Sequence, residues 1–132
     1  MSDNIRSLKT PLARARGLGS AKSGTAHWWA LRLTSLALVF LAIYPFGILL
    51  TVAANGSYAD VVDWLRSPYV AGAVILFIAV GFHHAANGLQ VVLEDYLHCE
   101  CSRTLSVIAV KFVAIALTVV GSLATLKIML GV

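Results

Sequence analysis

The sequence predicts an all-α integral membrane protein with three transmembrane helices, and both its composition and its apolar runs indicate this fold class. Of its 132 residues, 59% are hydrophobic and 12% are charged, and the mean hydropathy is +0.85. Soluble chains carry about 25% charged residues, and an apolar run of about 18 residues or more is typical of a membrane-spanning helix. Three such runs are present, roughly at 29–54, 68–93 and 104–130.

The limits of each run are marked in the sequence. No charged residue lies between Arg32 and Asp60, so the first run is long enough to cross a bilayer. The second begins at Pro68, which suits the first turn of a helix because an N–H there has no intrahelical partner. The third contains Lys111 and Lys127, and we expect both long side chains to lie near enough to its ends to reach the headgroups.

The chain divides by charge into a basic cytoplasmic tail, residues 1–26, and a three-helix membrane anchor domain, residues 27–132. Lys and Arg are retained on the cytoplasmic side, which predicts an inside N-terminus and an outside C-terminus. We expect a bacterial inner (plasma) membrane, with the mitochondrial inner membrane as the alternative because the acid-poor tail resembles a transit peptide. No binding of nucleic acid is expected, since the tail lacks interleaved aromatic residues. The basic residues up to the first span are Arg6, Lys9, Arg14, Arg16, Lys22 and Arg32.

His84 is the main candidate for a functional residue, because it lies within the second apolar run. It precedes Asp95 by eleven positions, which places it roughly 16 Å deep at 1.5 Å per residue, and ionisable groups at that depth usually serve a site. Gly88, one turn later, leaves room for a porphyrin against the helix, and the absence of C-x-x-C-H favours b-type over c-type haem. Two interpretations remain open: an axial haem ligand, or a hydrogen bond across a helix interface.

The second predicted helix also carries a polar face, formed by His83, Asn87, Gln90 and Glu94 at helical spacing. Polar side chains are unfavourable against lipid tails, so we expect this face to contact protein, cofactor or water. Three helices have too little interior to bury it. A partner subunit is therefore implied. A proton-transporting subunit is a weaker interpretation, because residues 70–82 are apolar and the polar face stops halfway.

Three other residues have both a functional and a plain interpretation, and a fourth, His27, has a functional one with weaker support. The Tyr96 hydroxyl can donate to a quinone carbonyl and Asp95 can relay protons, or the two are a helix-ending acid beside an interfacial tyrosine. Arg32 can pair with a haem propionate, or its side chain only reaches toward the inside surface. His27 lies near enough in sequence to assist Arg32.

Two segments resemble the small hydrophobic membrane anchor of succinate dehydrogenase, respiratory complex II, which belongs to a family of cytochrome b subunits. One is His84-Ala-Ala-Asn-Gly88-Leu-Gln-Val-Val-Leu-Glu-Asp95-Tyr96, which looks like the family's H-x3-G-x6-D-Y run on its second helix. The other is His27-Trp28-x3-Arg32, similar to an H-W-x3-R pattern at the first helix. The resemblance covers most of the chain from His27 onward.

The resemblance implies an anchor that shares one haem b with a sister cytochrome b anchor subunit and docks an iron–sulfur subunit and a flavoprotein subunit. In that family pattern His84 is an axial ligand of the haem iron, and Arg32, assisted by His27, neutralises a propionate. Gly88 gives the macrocycle clearance. Tyr96 hydrogen-bonds ubiquinone, and Asp95 tunes that site or its proton supply. The alternatives are a haemless anchor and another small b-type cytochrome or transporter subunit.

This sequence also departs from the family pattern. Gln90 is six residues after His84, whereas the family often has Gln at the seventh place, which Val91 holds here. His83 competes with its neighbour for the ligand role. We expect Cys99 and Cys101 to be reduced and incidental, because a C-x-C pair without further ligands is a weak metal site.

Overall fold

The computed structural model describes residues 10–17 and 24–131, and no strand occurs within these two ranges. They form five helices: α1 (Pro11–Ala15), α2 (Gly24–Asn55), α3 (Tyr58–Leu65), α4 (Pro68–Tyr96) and α5 (Glu100–Leu130). The helices α2, α4 and α5 are long and apolar enough to cross a membrane, over Gly24–Val52, Pro68–Tyr96 and Glu100–Leu130. The predicted class, an all-α protein with three transmembrane helices, is confirmed. The orientation of its termini stays a prediction.

The long helices extend beyond the limits that hydropathy gave them. α2 begins five residues earlier than the first apolar run, α5 begins four residues earlier than the third, and α4 ends three residues later than the second. Hydropathy marks the part of a helix that contacts hydrocarbon. Backbone hydrogen bonding continues into the headgroup region, where polar side chains are tolerated and water satisfies the last free groups.

The connection between α2 and α4 contains a short helix, α3, that the sequence reasoning did not predict. Asp60 stabilises its first turn, because one carboxylate oxygen accepts hydrogen bonds from the backbone N–H of Ser57 at 2.6 Å and from its hydroxyl at 2.8 Å. These two bonds, the backbone one first, lower the pKa of Asp60 below its ordinary value. A β-carbon on Gly56 would lie 2.7 Å from the carbonyl oxygen of Val52, so the chain needs glycine where it leaves α2.

α4 is the central helix, since it packs against both α2 and α5, which make no contact with each other in the described residues. On one side, the rings of Phe46 and Phe77 meet edge to face with centroids 5.6 Å apart. On the other side, Gly121 lets α5 approach closely: a β-carbon there would lie 3.2 Å from Ile78. Any side chain in the middle of α4 therefore faces α2, α5 or a surface outside the subunit.

The three long helices enclose little interior of their own. Within the described ranges, the buried residues are mostly small or polar: Pro45, Val70, Ala71, Ala86, Asn87 and Thr125. Large apolar side chains are exposed on all three, among them Phe40 on α2 and Phe112 on α5. In water such surfaces would cause association, whereas lipid tails or partner helices cover them without cost.

Candidate site on the central helix

His84 contacts α2 through its ring. Its Nδ1 lies 2.8 Å from the hydroxyl oxygen of Thr34, which is also 2.6 Å from the carbonyl oxygen of Ala30 one turn earlier. The ring is half-buried. Its other nitrogen, Nε2, has no hydrogen-bond partner among residues 10–17 and 24–131. His84 therefore presents one satisfied ring nitrogen to its own subunit and one that is open to a ligand.

Gly88 leaves an open space beside this ring. A β-carbon built on Gly88 meets no atom within 4 Å, and the residue follows His84 by one turn on the same side of α4. An imidazole with a free Nε2 next to an unobstructed stretch of backbone fits the requirements of an axially ligated macrocycle. His84 and Gly88 thus fit a haem.

His83 faces α5, whereas His84 contacts α2. Its Nε2 lies 2.9 Å from the side-chain nitrogen of Asn87, and both residues line a groove of about 410 Å³ between α4 and α5. Lys111 lies in the same groove. Lys111 follows the first residue of α5 by eleven positions, which is roughly 16 Å along the helix. It therefore lies farther from the helix end than we expected from the start of the apolar run.

The predicted polar face of α4 is present and is paired along the helix. Besides the bond between His83 and Asn87, Gln90 donates to the carboxylate of Glu94 at 2.7 Å. Each pair spans four residues, the spacing at which side chains on a helix meet. These bonds lower the cost of exposing the polar groups, and Asn87 is itself buried.

The two candidates on α2 lie on different faces of that helix. His27 is seven residues before Thr34, so it shares the face that contacts α4, and its Nε2 is buried without a hydrogen-bond partner in the described chain. Arg32 is two residues before Thr34, roughly 200° around the helix and 3 Å along it. Its exposed guanidinium lies 5.0 Å from the centroid of the Trp28 ring. The structure therefore does not bring Arg32 to His84, although both lie at a similar level.

Asp95 and Tyr96 are at the C-terminal end of α4. Both side chains are exposed, Tyr96 to 77%, and neither has a hydrogen-bond partner among the residues described. They follow His84 by eleven and twelve positions, which is roughly 16–18 Å of helix. Tyr96 and His84 therefore lie at different levels along α4.

The cysteines lie just after this end of α4 and are both free and exposed. Backbone N–H groups of Ser102 and then Cys101, at the start of α5, hold the pKa of the Cys99 thiol below its ordinary value. No group of three or more His, Cys, Asp or Glu that could hold a metal ion occurs in the described part of the chain. A haem iron needs only axial ligands, so His84 requires no such cluster.

Thr34 is the residue of this site that sequence reasoning missed. A threonine in an apolar helix usually bonds the carbonyl four residues back, as Thr118 and Thr125 do here, and carries no signal of its own. Only the packing of α2 against α4 identifies it as the partner of His84.

The fold and the site define a class: a small helical subunit with three membrane spans. Its middle helix carries a half-buried imidazole and, one turn later, a glycine beside open space. A family model described as "Succinate dehydrogenase/Fumarate reductase transmembrane subunit" matches residues 6–121. The chain belongs to that family, and its predicted recognition as a succinate dehydrogenase membrane anchor is confirmed.

Curated relatives agree with this assignment. The succinate dehydrogenase hydrophobic membrane anchor subunit of Rickettsia bellii (strain RML369-C) is 33% identical over 114 residues, which are 86% of this chain and 89% of the relative. That of Paracoccus denitrificans is 31% identical over 104 residues, or 78% and 79% of the two chains. The succinate dehydrogenase membrane anchor subunit of Reclinomonas americana is 27% identical over 96 residues, or 71% and 80%. No solved structure gives a significant match.

The Rickettsia and Paracoccus relatives are bacterial membrane anchors, and the three spans of this chain agree with the predicted location in a bacterial membrane. Family membership supports an anchor role in association with a membrane and with catalytic subunits. The predicted haem, its ligands and the quinone residues are not tested by these comparisons and stay predictions.

Proposed function

We propose that this chain is the membrane anchor subunit of a succinate:ubiquinone oxidoreductase, and that it holds one b-type haem together with a sister anchor subunit. The haem part of this proposal rests on the surroundings of His84. Its Nδ1 is paired with Thr34, its Nε2 has no partner in the described chain, and Gly88 leaves the adjacent space open. Bound haem supplies one-electron chemistry within the hydrocarbon layer.

His84, rather than His83, is the proposed axial ligand. The ring of His83 is already hydrogen-bonded to Asn87 through Nε2. It also faces the groove toward α5, and Ala86 and Asn87 on that side of α4 are buried within this chain. A second axial ligand is proposed to come from another polypeptide, because Nε2 of His84 has no partner in the described part of this chain. The sister subunit would provide it.

His27 and Arg32 are proposed to hold the haem propionates. Support for His27 is its place on the Thr34 face of α2 and its buried, unpartnered Nε2, which is a polar atom that lacks a partner in the described chain. Support for Arg32 is its exposed guanidinium near the level of His84. Stacking on Trp28 leaves the planar N–H groups of Arg32 free for a carboxylate.

Tyr96 and Asp95 are proposed to bind ubiquinone at the inside boundary. The exposed phenol can donate a hydrogen bond to a quinone carbonyl, and the exposed carboxylate next to it can deliver protons from the aqueous side. The iron–sulfur and flavoprotein subunits are proposed to dock on this same inner face. Electrons would then reach the quinone without crossing the bilayer.

A reduced-minus-oxidised spectrum of the purified complex, containing both anchor subunits, tests the haem proposal. Bis-imidazole b-type haem gives sharp bands on reduction, and the expected stoichiometry is one haem per complex. A complex that reduces ubiquinone but gives no such bands would identify a haemless anchor instead. A chain that purifies without flavoprotein and iron–sulfur partners would contradict the anchor role itself.

A further inference from the structure

Thr34 of α2 is placed to act on His84 rather than only to support its own helix. Its hydroxyl has one proton and two lone pairs. The oxygen lies 2.6 Å from the carbonyl oxygen of Ala30 and 2.8 Å from His84 Nδ1. A carbonyl oxygen only accepts, so the hydroxyl proton goes to Ala30, and the oxygen is left to accept a proton from the imidazole.

This arrangement determines the tautomer of His84. If the hydroxyl accepts, Nδ1 must carry the ring proton, and Nε2 then has the lone pair that a metal requires. The contact also restrains the rotation of the ring, because α2 and α4 stay packed together beyond it, where Leu38 lies near Gly81 and Phe46 meets Phe77.

We infer that Thr34 is a positioning residue of the haem site, whose hydroxyl accepts the Nδ1–H of His84, fixes its tautomer and directs Nε2 to the iron. This inference rests on the proposed haem ligation by His84. Partners of this kind orient a ligating histidine and raise its basicity, and their loss typically lowers metal affinity about 10- to 100-fold. A more basic imidazole stabilises the oxidised iron, so loss of the bond raises the reduction potential.

The test uses the purified complex with Thr34→Val and Thr34→Ser. Valine keeps the shape and lacks the hydroxyl, whereas serine keeps the hydroxyl and lacks the methyl group. Thr118→Val is the matched control, because Thr118 makes the same bond to the carbonyl four residues earlier, at 2.8 Å, on α5. The readouts are haem affinity, by competition with a haem acceptor, and the midpoint potential of the b-type haem.

We expect Thr34→Val to weaken haem binding at least tenfold and to raise the potential by an amount equivalent to about one tenfold change in the redox equilibrium, about 59 mV for one electron. Thr34→Ser and Thr118→Val should match the unaltered complex in both readouts. An unchanged potential and affinity in Thr34→Val, or an equal change in Thr34→Ser, would overturn the inference while leaving the proposed function intact.

A separate measurement on the unaltered protein covers the case in which Thr34→Val does not assemble. With ¹⁵N-labelled histidine, the redox-induced infrared difference spectrum reports the protonation and hydrogen bonding of the ligating ring. We expect a ligand protonated at Nδ1 and hydrogen-bonded there; a free Nδ1–H, or ligation through Nδ1, overturns the inference. An unaltered complex without haem would overturn the proposed function and this inference together.

Discussion

The adjacent rings of His83 and His84 contact different parts of the structure: His84 bonds α2, and His83 bonds the central helix itself beside α5. His84 is 2.8 Å from Thr34 on α2, whereas His83 is 2.9 Å from Asn87 and lines the groove toward α5. One step along a helix rotates the side chain by roughly 100°, which is enough to give two neighbouring imidazoles different environments. Their substitution should therefore have different consequences.

We expect His84→Leu to remove or greatly weaken haem binding and His83→Leu largely to spare it. The first change deletes the proposed ligand, while the second deletes a ring that already bonds Asn87. Haem per complex, measured by pyridine haemochrome against protein, checks this. Equal loss in the two variants, or loss in His83→Leu alone, would reverse the assignment of the ligand.

Substitution at Gly88 tests the clearance for the macrocycle. A β-carbon there meets nothing within 4 Å in the subunit, so Gly88→Val should leave the helix intact and instead occupy the proposed haem space. We expect haem occupancy to fall at least tenfold with normal assembly of the complex. Gly72→Val is the control, since it is also on α4 and also faces open space. If both variants retain full haem, no macrocycle lies against Gly88.

Tyr96→Phe should impair the reduction of ubiquinone while succinate oxidation by an artificial acceptor continues. The change removes one hydroxyl that is 77% exposed and has no partner in the described chain, so a structural effect is not expected. Loss of one hydrogen bond to substrate corresponds to roughly 1 kcal/mol, or about a fivefold change. Tyr69→Phe, at the N-terminal end of the same helix and 88% exposed, is the control. Unchanged quinone turnover in Tyr96→Phe would remove this tyrosine from the quinone site.

The stability of α3 should depend on pH through Asp60. Its bonds to Ser57 lower the carboxyl pKa in the folded protein, so the stabilisation is complete above the unfolded value of about 3.9 and is lost as the pH falls through the folded value. We expect the protection of the α3 amides, by hydrogen exchange, to be unchanged above pH 5 and to decline at lower pH. Asp60→Asn should reduce the protection and remove the pH dependence. Persistence of the pH dependence in that variant would assign it to another group.

The fold class and the family could be predicted from the sequence because both depend on features that are local along the chain. Apolar runs long enough to span a bilayer located α2, α4 and α5, although each helix extends past its run because helical hydrogen bonds do not end where hydrocarbon ends. The helix α3 was missed because its eight residues lie between two long apolar runs and were interpreted only as a connection. Two signals were available: Tyr58, Val61, Val62 and Leu65 recur at helical spacing, and Ser57 precedes Asp60 by the three positions of a capping box.

The candidate residues on α4 were predictable for the same reason. His84, Gly88 and Asp95 share one face at fixed spacing, and the face of His83, Asn87, Gln90 and Glu94 follows from helical periodicity alone. Relations between helices were not predictable. Arg32 and His27 are separated by only five residues, yet one faces away from α4 and the other lies on the face that contacts it.

By itself, the sequence determined that three helices cross a membrane and that an imidazole lies deep in the second of them. Both conclusions depend only on the hydrophobicity and residue spacing within one segment. Only the tertiary structure decided which neighbour each histidine contacts, and that Thr34 completes the bonding of His84. The reason is physical: a hydrogen bond between residues 34 and 84 depends on the rotation and register of two packed helices, and neither is encoded in a single segment.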